Sequence, residues 1–346
     1  MDFDAVSMGL PLREVAALAR EAEEAGMSGL WFPEAGRTAY LGCAVAAAAT
    51  THLDIGTAIA VAFPRSPMVT AQTAWELAEA TGGRFILGLG TQVKAHNERR
   101  FSVRPFDRPG PRLREYVLAL RAIWKAFQGE APLAFEGEFY RFDLLTPFFA
   151  PPAIEQPDIP VYVAGVNPWM ARMAGEVCDG FHVHPFHSER YLREVIRPNI
   201  EAGAREAGRD PSAVKLACPV FAIVGDTDEE REALRQLTRT QISFYGSTRT
   251  YRPVFELHGW GETTDRLREH QARGDFAAMA AEITDEMLGV YAVEATWDDL
   301  PRAVLDRYDG LVDRVFSYFA AGSWRGAPDT RERWATVAAA VRGGRR

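Results

Sequence analysis

The sequence predicts an α/β fold of the (β/α)8 TIM-barrel class, with insertions after the fourth and seventh strands. Short apolar runs that are typical of buried parallel strands occur eight times along the chain. Nearly every run is followed by a segment with helical periodicity. Eight such units fit in 346 residues as a single barrel domain spanning 1–346, with two longer segments left over as insertions.

The first four predicted strands cover residues 2–8, 29–33, 54–63 and 84–89. Pro11 begins the first helix and Gly26 follows its end, which is the usual placement of proline and glycine at helix boundaries. Ser66 and Pro67 supply an N-cap and a first helical position ahead of the fourth strand. A polar segment, an amphipathic helix over 111–127 and a hairpin-like stretch over 133–145 form the first insertion.

The second half of the chain resumes the alternation. Strands are predicted over 161–164, 181–184, 215–224 and 313–319, and the polar segment at about 228–290 is predicted as a helical insertion. A doubly wound open sheet is the competing topology. The run from Gly88 to Val93 begins like a dinucleotide-binding fingerprint but has valine where the third glycine belongs, which favours the barrel.

Composition excludes several classes of protein. The net charge of −8 argues against nucleic acid as the main partner, because binding to phosphates needs a basic face. The N-terminus does not resemble a signal peptide, and no apolar run approaches the roughly 18 residues of a membrane helix, so we expect a cytoplasmic protein. Cys43, Cys178 and Cys218 lie far apart, without the spacing of a disulfide framework or a thiolate metal site.

Functional groups of such barrels lie at the C-terminal ends of the strands. Glu34 follows the second predicted strand, where a carboxylate acts as a general acid, a base or a hydrogen-bond acceptor, or is simply a solvated loop residue. Asn167 and Pro168 form a natural helix start after the fifth strand. Free backbone N–H groups there predict a site for a cofactor phosphate, or else an ordinary capped helix.

A histidine cluster follows the sixth strand. His182 and His184 are expected on the same face of a strand, as in barrel hydrolases that bind a metal. The seventh and eighth strands offer no further His or Asp ligands, so neutral histidines that line a cofactor pocket are favoured, and no metal site is predicted. His96, Arg99 and Arg100, after the fourth strand, form either a charged loop or a cationic clamp on an acidic ligand.

Two hydrolase classes lack their motifs. The fourth strand ends in Thr91 and Gln92 rather than in the glutamate of a barrel glycosidase, and no G-x-S-x-G elbow occurs.

An ordered set of short motifs runs through most of the chain: AEEAG at 22–26, GLWFPE at 29–34, IGTAI at 55–59, GGRFILGLGT at 82–91 and VYVAG at 161–165. This set resembles the bacterial luciferase-like monooxygenase superfamily, and within it the branch that uses the deazaflavin coenzyme F420. Residues 90–102 and the HVHPFH run at 182–187 are similar to a subgroup of deazaflavin-dependent oxidoreductases.

The resemblance implies an enzyme that holds coenzyme F420 at the barrel mouth and transfers a hydride to or from a small organic substrate. It also implies a homodimer, and a cis peptide between Ala58 and Ile59 that backs the ring. Glu34, His96 or His184 is implied as the proton-transferring residue. The implied cofactor-binding residues are Ala58, Ile59, Val61, Gly90, Thr91, Gln92, His96, Gly165, Val166, Asn167, Trp169 and Met170.

The chain also departs from its apparent relatives. Related sugar-phosphate dehydrogenases carry Asp-His where this chain has Pro33-Glu34, and a catalytic glutamate at the position of Val93, which argues against a sugar-phosphate substrate. Val166 and Asn167 replace an adjacent glycine pair that helps to hold the cofactor phosphate. The alternatives are an FMN-dependent luciferase-like monooxygenase and, from another class, a non-catalytic cofactor-binding barrel or a His-ligated metal hydrolase.

Overall fold

The computed structural model describes residues 1–318, 320–325 and 327–344, and it has the predicted closed parallel barrel surrounded by helices. The barrel strands follow in the spatial order β1, β2, β3, β5, β8, β9, β10 and β12, and β12 pairs with β1 to close the cylinder. The strands are β1 (Asp2–Val6), β2 (Gly29–Phe32), β3 (Asp54–Thr57), β4 (Ala60–Val61), β5 (Phe85–Gly90), β6 (Phe135–Glu136), β7 (Arg141–Phe142), β8 (Val161–Gly165), β9 (Gly180–Val183), β10 (Lys215–Val224), β11 (Ala292–Ala295) and β12 (Arg314–Ser317).

Helices cover the outside of the barrel and form most of the long segment between β10 and β11. They are α1 (Leu12–Glu24), α2 (Ala39–Ala49), α3 (Pro67–Thr81), α4 (Lys94–Arg99), α5 (Pro109–Phe127), α6 (Pro168–Val177), α7 (Glu189–Tyr191), α8 (Arg197–Glu206), α9 (Asp228–Gly246), α10 (Arg252–Glu256), α11 (Thr263–Arg273), α12 (Phe276–Ala281), α13 (Asp285–Tyr291), α14 (Leu300–Tyr308), α15 (Ala320–Ser323) and α16 (Pro328–Gly343). Within the described residues, no helix has both the length and the apolar character needed to cross a membrane.

Each of the eight predicted strands exists, but three boundaries need correction. The strand predicted over 54–63 divides into β3 and β4 because the chain bulges at Ala58–Ile59, where the peptide bond is cis, as the resemblance implied. The first strand ends at Val6 rather than at residue 8. The last strand ends at Ser317, and the predicted end at Phe319 lies outside the described residues.

Two features of the second half were not predicted. β11 follows the helical segment and pairs in parallel with the C-terminal half of β10, outside the closed barrel. A π-helical turn at Leu192–Ile196 joins α7 to α8. Four residues of β11 are too few for a periodicity signal to separate them from the end of α13.

The N-terminal end of the barrel is closed by a buried ion pair. Arg314, the first residue of β12, donates from Nε and Nη2 to the Asp4 carboxylate at 2.8 and 2.9 Å, and from Nη1 to Asp54 at 2.7 Å. Trp31 Nε1 donates to the same Asp4 carboxylate at 2.8 Å. Above this floor the interior is filled by a compact cluster formed by Val6, Trp31, Ile86, Tyr162, Ala217 and Phe316. The described residues thus fill the N-terminal end of the barrel, which makes the opposite end, here called the mouth, the candidate place for a ligand.

Candidate active site at the barrel mouth

Glu34 lies just after β2 and is held by an ion pair. Its carboxylate accepts two hydrogen bonds from Arg65, one of them at 2.9 Å, and a third from the Val61 N–H at 2.8 Å. The Glu34 side chain is only 6% exposed, and the Arg65 guanidinium also lies over the Tyr40 ring. Glu34 is thus paired on both oxygens, and the Val61 N–H that was expected to meet a cofactor is already bonded.

The bulge at Ala58 and Ile59 presents a half-buried apolar surface at the mouth. Ala58 packs on the aromatic cluster inside the barrel, and its N–H donates to Phe32 O at 2.9 Å. Ile59 lies across Gly90 at the end of β5, where a Cβ atom would be 2.7 Å from Ile59 Cδ1. Glycine at position 90 therefore allows the bulge to lie flat against the neighbouring strand, which leaves a surface suited to a planar ring.

The loop after β5 is organised by Asn97, a residue that sequence analysis did not single out. Its fully buried side chain donates from Nδ2 to Thr91 O at 2.8 Å and to Val93 O at 3.2 Å. Gln92 has a left-handed backbone, with a φ of 57°. His96 lies on the exposed side of the short helix α4. The structure thus fixes the carbonyl of Thr91 but leaves His96 without a contact in the described part of the mouth.

The start of α6 follows the end of β8. Asn167 caps this helix by accepting the Met170 N–H at 2.9 Å, and the Val166 carbonyl accepts from the Tyr191 hydroxyl at 3.0 Å. Trp169 is 44% exposed and packs against Gly110 at the start of α5. Gly165 allows Met170 to pack close to the strand end. The arrangement is a well-fixed helix N-terminus beside an exposed aromatic ring, which fits an anionic group attached to a planar one.

His182 and His184 have different surroundings. His182 is buried in the barrel interior, with its ring 4.9 Å from Trp31 and 5.4 Å from Tyr162. Neither of its nitrogens has a hydrogen-bond partner among the described residues, since the nearby Thr57 carbonyl lies outside hydrogen-bonding geometry. Burial lowers the pKa of His182 to about 3, so this imidazole is neutral.

His184 lies at the mouth, just after β9. Its Nδ1 accepts the Phe186 N–H at 3.1 Å, which places the ring proton on Nε2. The ring contacts Tyr245 and Tyr251, with centroids 4.7 and 4.4 Å away. Burial, together with the neighbouring His187, lowers the pKa of His184 to about 3. His184 is therefore a neutral hydrogen-bond donor at Nε2.

His187 has a structural role. Its Nδ1 donates to the His184 carbonyl at 2.9 Å, so Nε2 is an acceptor, with the Tyr308 hydroxyl 3.1 Å away and Cys218 Sγ 3.2 Å away. Burial lowers the pKa of His187 to about 4 and raises that of the Cys218 thiol, so neither group is charged. This triple contact fixes the backbone that carries His184.

Tyrosines of the long helical segment were also missed by sequence analysis. Tyr245 of α9 and Tyr251 form an aromatic wall against His184, and the Tyr245 hydroxyl lies 2.7 Å from that of Tyr318, just after β12. Their only sequence signal is that aromatic residues interrupt a polar helix, and such a signal does not reveal which strand end they cover.

The predicted site residues thus fall into two groups. Five successive barrel strands place most of them around one mouth, after β2, β3, β5, β8 and β9. His96 is the exception, because it is exposed on α4. The described residues contain no group of three or more His, Cys, Asp or Glu side chains that could hold a metal ion.

The sequence profile of luciferase-like monooxygenases matches residues 3–314, nearly the whole chain. The chain belongs to the luciferase-like monooxygenase family. An uncharacterized protein of Mycobacterium tuberculosis is 44% identical to this family member over 312 residues, which are 90% of this chain and 92% of the relative. A 5,10-methylenetetrahydromethanopterin reductase of Archaeoglobus fulgidus is 28% identical over 320 residues, 90% of this chain and 89% of the reductase.

Solved structures share the fold of this luciferase-like chain. The coenzyme F420 dependent tetrahydromethanopterin reductase of Methanopyrus kandleri superimposes with a TM-score of 0.79 at 22% identity, covering 99% of this chain and 98% of that one. An F420-dependent secondary alcohol dehydrogenase gives 0.72 at 19%, covering 98% of each chain. An FMN-bound Baeyer-Villiger monooxygenase of Pseudomonas putida gives 0.68 at 17%, covering 99% and 98%.

Proposed function

We propose that this protein is a coenzyme F420-dependent oxidoreductase that exchanges a hydride with a small organic substrate at the barrel mouth. The observation that carries the proposal is the half-buried Ala58–Ile59 surface beside the capped start of α6. Two proteins of the same fold, the tetrahydromethanopterin reductase and the secondary alcohol dehydrogenase, depend on coenzyme F420, which supports the deazaflavin as the cofactor.

Different residues of the mouth bind the ring and the phosphate of the cofactor. Ala58 and Ile59 back one face of the ring. Because Gly90 has no Cβ atom, Ile59 can pack against the adjoining strand in this position. The start of α6 offers the backbone N–H groups of Val166, Asn167 and Trp169 to a phosphate, while the Met170 N–H is bonded to the Asn167 side chain and Met170 packs beneath. The cofactor supplies the hydride chemistry when bound.

His184 is the residue we assign to the substrate. Its Nε2–H has no hydrogen-bond partner among the described residues, and the aromatic wall of Tyr245 and Tyr251 fixes the orientation of its ring. Because its pKa is near 3, this imidazole is neutral at neutral pH and is a poor general acid. Its Nε2–H can still donate a hydrogen bond to a substrate oxygen. Glu34 positions the loop after β4 through Arg65 and does not deliver a proton.

Equilibrium binding of the purified protein to oxidised coenzyme F420 and, in parallel, to FMN tests the proposal. We expect micromolar or tighter binding of the deazaflavin and much weaker binding of FMN, read from the change in cofactor fluorescence. Better binding of FMN, with flavin-dependent oxygen consumption, would instead establish the monooxygenase alternative, which the FMN-bound structure of the same fold favours. If the protein binds neither cofactor, the proposed activity is wrong.

The assembly is a further part of the proposal. We propose a homodimer, on the family resemblance alone, while the cytoplasmic location stays a prediction from the sequence. Light scattering on the eluting protein tests the assembly, and a monomeric mass across the working concentration range contradicts it.

A further inference from the structure

A cationic segment lies next to the mouth of this acidic protein. Residues 94–112, here called the rim segment, contain six lysine and arginine residues against Glu98 and Asp107, a net charge of +4. Since the whole chain carries −8, the remaining residues carry −12. The six cations are Lys94, Arg99, Arg100, Arg104, Arg108 and Arg112.

The rim segment contacts three other loops of the mouth. Arg100 donates to the carbonyl of Ala35, the residue after Glu34. Phe106 packs edge-to-face on Phe63 of the loop after β4, with ring centroids 6.0 Å apart. At the far end Gly110 lies under Trp169 of α6. The segment therefore borders the opening from the end of β2 to the proposed phosphate site.

Three of its arginines are exposed and have no carboxylate partner in the described structure. Lys94 pairs with Glu98 at 3.7 Å, Arg108 pairs with Glu138, and Arg112 lies over the Phe63 ring and donates to the Tyr140 hydroxyl. In the described structure, by contrast, Arg99, Arg100 and Arg104 are exposed and contact no acid. Arginine usually finds a carboxylate on a surface with an excess of acids, so unpaired guanidinium groups beside a ligand opening indicate an external anion.

We propose that Arg99, Arg100 and Arg104 bind phosphate or carboxylate groups of a ligand whose reacting part lies in the mouth. The inference rests on the proposed function only in placing the reaction there. Two sources share this chemistry: the anionic side chain of coenzyme F420, with its phosphate and carboxylates, and an acidic substrate. Bidentate guanidinium contacts with an extended anion at the rim would add affinity without touching the ring.

The double variant R99Q/R104Q tests the rim, because neither side chain has a contact in the described structure whose loss would disturb the fold. R20Q/K125Q is the matched control, with the same loss of charge at exposed positions near the C-terminal ends of α1 and α5, the helix ends that lie away from the mouth. The probes are coenzyme F420, the corresponding deazaflavin with an uncharged ribityl chain, and triglutamate. Fluorescence reports the binding of the deazaflavins and calorimetry that of triglutamate, at about 20 mM and about 500 mM NaCl.

We expect R99Q/R104Q to bind coenzyme F420 about fivefold more weakly than wild type in low salt. At high salt the difference should fall below about twofold because the charges are screened. The uncharged deazaflavin should bind both proteins equally, and R20Q/K125Q should match wild type.

The remaining outcomes separate the two proposals. If the variant binds only triglutamate less tightly, the rim serves an acidic substrate rather than the cofactor. If wild type binds neither deazaflavin, the proposed function fails, while a salt-sensitive loss of triglutamate binding in R99Q/R104Q still supports the rim. Equal binding of every probe by wild type, variant and control overturns the inference.

Discussion

At the scale of single residues, the Glu34–Arg65 pair shows how a predicted catalytic group becomes a positioning group. The sequence placed a carboxylate at a strand end of the barrel mouth, and the structure confirms that location. What the sequence did not reveal is Arg65, 31 positions later, which lies on both carboxylate oxygens. Three hydrogen bonds to this largely buried carboxylate occupy most of its acceptor positions, which favours a positioning role over proton transfer.

Replacing Glu34 with glutamine should lower the free energy of unfolding by about 2 kcal/mol, because it leaves a half-buried guanidinium without its charge partner. R65Q should have a similar effect, and the double variant should cost less than the sum. Denaturant unfolding measures these values, with E201Q, in an exposed ion pair with Arg205, as the control at under about 0.5 kcal/mol. Normal stability with abolished turnover at saturating cofactor would instead give Glu34 a direct chemical role.

His184→Ala should reduce turnover at least about tenfold while changing the Kd of the deazaflavin by less than about threefold. The reason is that we assign the Nε2–H to the substrate and not to the ring. Because His184 has a pKa near 3, the turnover of wild type should show no inflection from this residue between pH 5 and 8. An inflection near pH 6.5 that disappears in H184A would show that the imidazolium is the acid.

At the scale of elements, the strands and the order of their loops could be predicted because apolar periodicity is local. The contacts that complete the site could not be predicted because most of them join residues that lie far apart in the sequence. Arg65, Asn97 and Tyr245 reach the mouth from a loop, a buried helical turn and a distant helix. No local pattern marks a residue whose partner lies tens of positions away. For the same reason the sequence did not reveal that His96, on the short helix after β5, is exposed.

Asn97→Ala should loosen the loop after β5, since two carbonyls, of Thr91 and Val93, lose their shared donor. We expect a loss of about 1–3 kcal/mol of stability and weaker binding of the deazaflavin. N97D should be at least as harmful, because it sets a carboxylate against the same carbonyls. H96A, at the exposed neighbouring position, is the control. A larger effect of H96A than of N97A on binding would restore His96 as a cofactor contact.

At the scale of the whole molecule, three histidines with lowered pKa values tie stability to pH. His182, His184 and His187 have folded-state pKa values of about 3, 3 and 4, below the usual 6.5 of an unfolded chain. Between pH 4 and 6.5 the unfolded state therefore binds more protons than the native state. The stability that these groups contribute is complete above pH 6.5 and is lost as the pH falls, by up to about 4 kcal/mol per pH unit.

The variant H182L should remove one of these three protons, because leucine fills the interior position without titrating. The slope of the unfolding free energy between pH 5 and 7 should then be smaller than that of wild type by up to about 1.4 kcal/mol per pH unit. Chemical unfolding at several pH values measures both slopes. Identical slopes for the two proteins would mean that His182 is not buried in a neutral form.

The ion pairs of Arg314 with Asp4 and Asp54 close the N-terminal end of the barrel, so we expect ligands to enter and leave through the mouth. The ligand that binds deepest must then bind first and dissociate last, because a second ligand above it blocks its exit. Steady-state kinetics should accordingly show compulsory-order turnover, with the deazaflavin as leading reactant and the organic product released before it. Initial-rate and product-inhibition patterns measure that order, and random addition would point to a second passage through the side of the barrel.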